Sequence, residues 1–280
     1  MQTNVALLTG FDRSGTSAIS KAIATHPQVE LLWRVFNSGS IRRKMNVLLT
    51  DESASDEDRH FFSELEHGRL YTDYIETVYH WKTSTTTEGL VEGRLHVLIT
   101  NINHLAVPWS MAKYPKIGHW GIWRDPYHIL QSCVENKFLE DWYEGAVLEL
   151  AELVTSHPFL KERFAWALST LDSVTRKTAF ILAVRNYVLF NAVGAENLLD
   201  YDLFCETPGR ALFPLLNRYG IANDHDFDKV LDVDLNTIPG VVPYERGRVK
   251  TLYFSDRDMS FLADLFAPLF SAARRNNDHA

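Results

Sequence analysis

The sequence has few cysteines, no long uninterrupted apolar run and no excess of basic residues, and each shortage excludes a class of protein. Two cysteines, Cys133 and Cys205, are too few for a disulfide framework. A net charge of -8 without a dominant basic stretch argues against nucleic-acid binding. The longest apolar helical tract, 178–194, contains Arg185 and Asn186, which predicts a core helix rather than a membrane span. Without a leader-like start, we expect a soluble cytoplasmic protein.

Apolar runs and helical periodicity alternate along the chain. Short runs typical of buried parallel strands occur at 5–10, 95–100, 117–123 and 196–201. Helical patterns occur at 15–25, 60–82, 142–157, 163–174 and 176–193. This alternation predicts a three-layer α/β/α fold with a central parallel sheet. We expect residues 1–280 to form one domain, with helical insertions near 40–85 and 135–175 over a substrate cleft.

The segment GFDRSGTS, residues 10–17, lies between the first strand and the first helix. Its glycines match the spacing of the phosphate-binding loop G-x-x-x-x-G-K-[ST], but the lysine after Gly15 is missing. Backbone N–H groups and the dipole at the start of the helix attract an anion. Further donors are Arg13, Ser14, Thr16 and Ser17. A structural turn without a ligand is the alternative for this segment taken alone.

A second segment, GHWGIWRDPYHILQS, begins as an apolar strand and continues into a predicted helix. Arg124 lies at the end of the strand, Asp125 is a suitable helix cap and Pro126 fits the first helical turn. Because Ser132 follows eight positions after Arg124, a guanidinium and a hydroxyl could converge on one phosphate. Taken alone, the same pattern is a common way to start a helix.

In their order and separation, these segments resemble the sulfotransferases that use 3'-phosphoadenosine 5'-phosphosulfate (PAPS), in particular the bacterial and Golgi-type [KR]-S-G-T subset. A third segment, with Tyr201, Asp202 and Leu203, is similar to the family's strand that ends in Y-[ED]-x-L. The resemblance implies that the 5'-phosphosulfate end is held by Arg13, Ser14, Gly15, Thr16 and Ser17. It also implies that Arg124 and Ser132 hold the 3'-phosphate. The nucleotide product would be 3'-phosphoadenosine 5'-phosphate (PAP), and no metal would be required.

The resemblance also implies two catalytic groups. Arg13 would stabilise the charge that develops on the leaving phosphate. The general base would be His104, in the segment LITNINHLAVP, with His96 and Glu30 as rivals. The family's C-terminal R-K-G-x-x-G segment is not recognisable here, and Arg246 and Arg248 are candidates to replace it. A solvated basic loop is the alternative for those two arginines.

Other activities on the same architecture remain alternatives. A nucleoside or small-molecule kinase would need magnesium and ATP, and the missing lysine and Pro126 count against it. A non-catalytic nucleotide-binding module is the second alternative. The acceptor is not indicated by the sequence, and carbohydrate, lipid and other small-molecule acceptors all remain open.

Overall fold

The computed structural model describes residues 4–33, 44–68, 93–137, 143–222, 224–227 and 253–274. Within these ranges five parallel strands form one sheet in the order β2-β3-β1-β4-β5. The strands are β1 (Asn4–Thr9), β2 (Val29–Trp33), β3 (Leu95–Thr100), β4 (Gly118–Trp123) and β5 (Leu198–Asp200). The predicted runs at 5–10, 95–100 and 117–123 are therefore confirmed as strands within one residue of their bounds. Of the run 196–201, only residues 198–200 form a strand.

Helices connect and flank these strands. They are α1 (Thr16–Ala24), α2 (Asp56–Glu66), α3 (Val107–Lys113), α4 (Pro126–Glu135), α5 (Tyr143–Ser156), α6 (Pro158–Phe164), α7 (Val174–Val193), α8 (Tyr201–Glu206), α9 (Pro208–Arg218) and α10 (Asp256–Arg274). Across the described ranges, none of the helices combines the length and the apolarity needed to cross a bilayer.

Helices cover both faces of the sheet. Alternate residues of β1 point to opposite faces, so that Ala6 and Leu8 pack with α1, α8 and α9. Val5 and Leu7 pack with α2 and α3 on the other face. The long helix α7 also contacts β4, and α4, α5, α6 and α10 join it in a large apolar cluster. The chain therefore has the predicted three-layer α/β/α fold with a central parallel sheet.

The candidate site lies where the direction of the strand connections changes. β1 leads through α1 toward β2 on one side of the sheet, whereas its neighbour β4 leads toward β5 on the other side. In open parallel sheets, ligands bind in the crevice outside the carboxyl ends of two such strands. Residues 10–15 follow β1 and Arg124 follows β4, so both predicted segments lie at this crevice.

The structure differs from the sequence predictions at three elements. Strand β2 was not predicted, because Glu30 interrupts a short apolar run of five residues. Residues 163–174 do not form one helix: α6 ends at Phe164, residues 165–170 form a 3-10 helix, and α7 starts at Val174. The Ser173 hydroxyl accepts a hydrogen bond from the Arg176 N–H at 3.2 Å and so caps a new helix. The predicted helix 60–82 begins at Asp56 and ends at Glu66, and residues 69–82 lie outside the described ranges.

Buried His119 in β4 makes stability sensitive to acid. Burial lowers the pKa of His119 to about 3, whereas an unfolded histidine titrates near 6.5. Below pH 6.5 the unfolded chain therefore takes up a proton that the folded chain does not, and stability falls until the pH reaches the folded pKa. We expect His119 to make the free energy of unfolding about 2 kcal/mol lower at pH 5 than at neutral pH.

Urea unfolding at pH 7 and pH 5 measures this effect. The His119→Asn variant should lose less stability between the two pH values than the parent protein, by about 2 kcal/mol, whatever its stability at pH 7. Replacing the exposed His60 by asparagine is the matched control. An equal pH-dependent loss in the parent and in His119→Asn would show that His119 does not cause it.

Candidate nucleotide site

The loop between β1 and α1 is a compact turn with two unusual backbone conformations. Its start is tied to β3, because the Gly10 N–H donates to the Thr100 carbonyl at 3.1 Å. The Ser14 N–H donates to the Phe11 carbonyl at 3.0 Å and closes a tight turn. Arg13 has a φ of 68°, which is uncommon for a residue with a side chain and is often found at functional sites.

Both glycines of the loop lie where an added side chain would be crowded. A Cβ atom added to Gly10 would lie 2.7 Å from the Ser14 hydroxyl oxygen. Gly15 has a φ of 98°, and a Cβ there would lie 2.0 Å from the Tyr201 ring. Any side chain at Gly15 would therefore be strained and would displace that ring.

The start of α1 offers donors to an anion. Gly15 is its N-cap and has no side chain to accept from the first N–H groups, and the first turn contains no acidic residue. The Ser14 hydroxyl is fully buried and has no hydrogen-bond partner among the described residues. Thr16 and Ser17 are half-buried at the same place. The backbone donors, the helix dipole and the unpartnered hydroxyl all favour a bound anion.

The second predicted segment lies directly against this loop. The Asp125 carboxylate accepts from the Tyr127 N–H at 2.8 Å, and Pro126 begins α4, as the sequence predicts. Arg124 Nη1 donates to the Arg13 carbonyl oxygen at 2.5 Å. Arg13 Nε in turn donates to the Ser132 hydroxyl at 3.0 Å. Residues 119 positions apart in the sequence thus meet in one place.

His104 lies beside the loop but is buried. Its ring centroid is 5.9 Å from that of Phe11, in an edge-on arrangement. The imidazole has no exposed surface, and neither ring nitrogen has a hydrogen-bond partner among the described residues. Burial, and secondarily the positive charge of Arg185, hold the pKa of His104 well below its usual value. The imidazole is therefore neutral at pH 7, as a proton acceptor must be.

The rival bases lie at the other end of the sheet. His96 is paired with Glu30 and with Val5, near the amino ends of their strands. The loop follows the carboxyl end of β1 at Thr9, about 13 Å away along the strand. The Glu30 carboxylate also forms an ion pair with the Arg94 guanidinium. The other candidates, Arg246 and Arg248, lie outside the described residues.

A buried polar network that no local sequence motif indicates lies beside the loop. Arg185 has no exposed surface, and its Nε donates to Asn46 Oδ1 at 3.1 Å. Asn46 Nδ2 donates to Glu149 Oε2 at 2.7 Å. Burial lowers the pKa of Arg185 to about 10, while the carboxylates of Asp12 and Glu149 oppose this shift. Asp12, within the loop, accepts a hydrogen bond from the Asn101 amide.

The only sequence signal for this network was an arginine inside an apolar helix. The other residues of the network, Asp12, Asn46, Asn101 and Glu149, come from four distant parts of the chain, so no local motif contains them.

Among the described residues, no group of three or more histidine, cysteine, aspartate or glutamate side chains could hold a metal ion.

No family model and no curated protein matches the chain. Among solved structures, the chain is similar to a sulfotransferase from Alicyclobacillus acidocaldarius, with 13% identity and a TM-score of 0.48. The match covers 99% of this chain and 98% of that one. An identity and a TM-score this low do not define the family or the activity of the chain.

Proposed function

We propose that the protein is a sulfotransferase that moves a sulfuryl group from PAPS to a hydroxyl or amine of an acceptor. The observation that carries the proposal is the contact between the two predicted segments. Arg124 bonds to the Arg13 carbonyl, and Arg13 bonds to Ser132, so both guanidinium groups lie beside one loop. A bis-phosphorylated nucleotide needs this concentration of positive charge, because planar arginine forks bind phosphate well.

The residues beside the loop suit the anionic parts of PAPS. Ser14 Oγ and Arg124 Nε are buried donors that have no partner in the described part of the chain. Such donors are costly when left unsatisfied and are relieved by an anion. We assign the loop amides with Ser14, Thr16 and Ser17 to the 5'-phosphate, and Arg124 with Ser132 to the 3'-phosphate.

The proposed reaction is an in-line displacement at sulfur. The bond from sulfur to the bridging phosphate oxygen breaks while a bond from sulfur to the acceptor oxygen or nitrogen forms. Negative charge gathers on the leaving phosphate, which Arg13 would stabilise. The acceptor proton would pass to His104. The products are PAP and the sulfated acceptor.

A thermal-shift experiment tests nucleotide selectivity. Without added metal, PAP at about 100 times its Kd should raise the Tm by about 5 °C. The same concentration of 5'-AMP should raise it far less, because AMP lacks the 3'-phosphate that Arg124 and Ser132 would bind. Equal shifts from both nucleotides would contradict the roles of Arg124 and Ser132.

Transfer itself is tested with labelled PAPS and a library of carbohydrate, lipid, phenol and peptide acceptors, read by mass spectrometry. Label on an acceptor would support the sulfotransferase proposal. Binding of PAP without any transfer would favour a non-catalytic nucleotide-binding module. Stabilisation by ATP that depends on magnesium, with none by PAP, would favour the kinase alternative.

A further inference from the structure

The register of the sheet brings an aromatic ring to the arginine that follows β4. Trp123 in β4 is paired with Asp200 in β5. The next residues along these parallel strands are Arg124 and Tyr201. The Asp200 carboxylate accepts from the Asp202 and Leu203 N–H groups at 2.9 and 3.0 Å, so the chain turns at once into α8. Tyr201 is thereby fixed as the first residue of this helix.

The Tyr201 ring lies against both the arginine and the loop. The Arg124 Cζ atom is 4.9 Å from the centroid of the ring. The ring also covers Gly15, where a Cβ would lie 2.0 Å from Tyr201 Cδ2 and 2.1 Å from Cε2. Only 6% of Tyr201 is exposed, and its ring stacks on Phe204 with centroids 6.1 Å apart. A single buried ring therefore contacts both segments of the candidate site.

The ring holds Arg124 without neutralising it. In the described part of the chain, Arg124 donates to the Arg13 carbonyl and lies over Tyr201, and it forms no ion pair with a carboxylate. A carboxylate partner would offset the charge that a phosphate needs. An aromatic face attracts and orients a guanidinium but leaves its net charge in place. Fixing a long side chain in advance also lowers the entropy cost of binding.

We infer that Tyr201 is a positioning residue, whose aromatic ring holds Arg124 against the Gly15 loop in the orientation that selects a nucleotide 3'-phosphate. The role belongs to the ring and does not require the hydroxyl. The selectivity part of this inference rests on the proposed function, whereas the coupling between Tyr201 and Arg124 is a property of the free protein.

The first experiment measures coupling without any ligand. The Tm values of Tyr201→Leu, Arg124→Met and the double variant form a double-mutant cycle. We expect the sum of the Tm losses in the two single variants to exceed the Tm loss in the double variant by about 2 °C, because each single change removes the same contact. Additive losses would overturn the inference, whether or not the protein binds PAP.

The second experiment measures nucleotide selectivity as the ratio of the Kd for 5'-AMP to the Kd for PAP, by calorimetry. Tyr201→Phe keeps the ring and should leave this ratio within about twofold, whereas Tyr201→Leu should lower it about tenfold. Phe204→Leu is the matched control, since it removes a buried ring from the same helix that lies next to Tyr201. It should lower the Tm and leave the ratio unchanged.

The outcomes separate this inference from the proposed function. No preference for PAP in the parent protein would count against the proposed function, and the ligand-free cycle would still decide whether Tyr201 holds Arg124. A preference for PAP that survives in Tyr201→Leu would overturn the positioning role and leave the proposed function standing.

Discussion

Replacing Arg13 by alanine is expected to slow sulfuryl transfer by about 10² to 10³-fold, the typical cost of removing one donor from a developing negative charge. Affinity for PAP should fall much less, because the loop amides, Arg124 and Ser132 remain. The difference arises because charge on the bridging oxygen is greatest in the transition state. Single-turnover rates with labelled PAPS, together with Kd values for PAP, measure the two effects separately.

Three control variants define what Arg13 contributes. Ser132→Ala removes the hydrogen bond that Arg13 makes at 3.0 Å but keeps the guanidinium. It should weaken PAP binding without a comparable loss of rate. Arg13→Lys keeps the charge but loses the planar fork, and we expect an intermediate rate. Arg210→Ala, an exposed change on α9, should have no effect. Unchanged turnover in Arg13→Ala would remove Arg13 from the mechanism.

Local sequence patterns predicted most of the sheet because buried parallel strands are short and apolar on both faces. β1, β3 and β4 contain such runs and were found within one residue of their bounds. The exception was β2, since Glu30 is the second residue of VELLW and forms an ion pair with Arg94 at the edge of the sheet. An edge strand needs less apolar surface than a central strand, so the apolar run that marks the others is weaker there.

The resemblance implied that the two site segments hold one nucleotide, and the sheet explains why they lie together. Segments that follow neighbouring parallel strands must emerge at the same edge, and β1 is paired with β4. The individual contacts were not predictable in this way. That Arg13 would bond to Ser132, and Arg124 to a backbone carbonyl, depends on the positive φ of Arg13 and on where α4 begins.

The Arg185 network could not be predicted because it is formed only by tertiary packing. The sequence shows a cation within an apolar helix, which correctly predicts a core helix but not the partners of the cation. The structure supplies Asn46 as a hydrogen-bond partner, and the carboxylates of Asp12 and Glu149 compensate the charge. A buried arginine requires such compensation, so the fold must bring these distant residues together.

Replacing His104 by asparagine is expected to lower the transfer rate by about 10² to 10⁴-fold, which is the usual contribution of a positioned general base. Because the pKa of His104 is held well below its usual value, the imidazole stays unprotonated as the pH falls through 6.5. The acidic limb of the pH-rate profile should therefore lie below pH 6.5. Rates measured from pH 5 to 8 at saturating PAPS test both expectations.

Arg185 provides the control for this electrostatic argument. Its positive charge lowers the pKa of His104 after the larger effect of burial, so Arg185→Met should move the acidic limb toward higher pH. Arg185→Lys keeps the charge and should leave the limb near its original position if the variant folds. The PAP thermal shift should persist in His104→Asn, because His104 is not assigned to the nucleotide. If transfer per folded molecule were unchanged in His104→Asn and only the Tm fell, the buried imidazole would be a packing residue, and the proton would have to leave by another group.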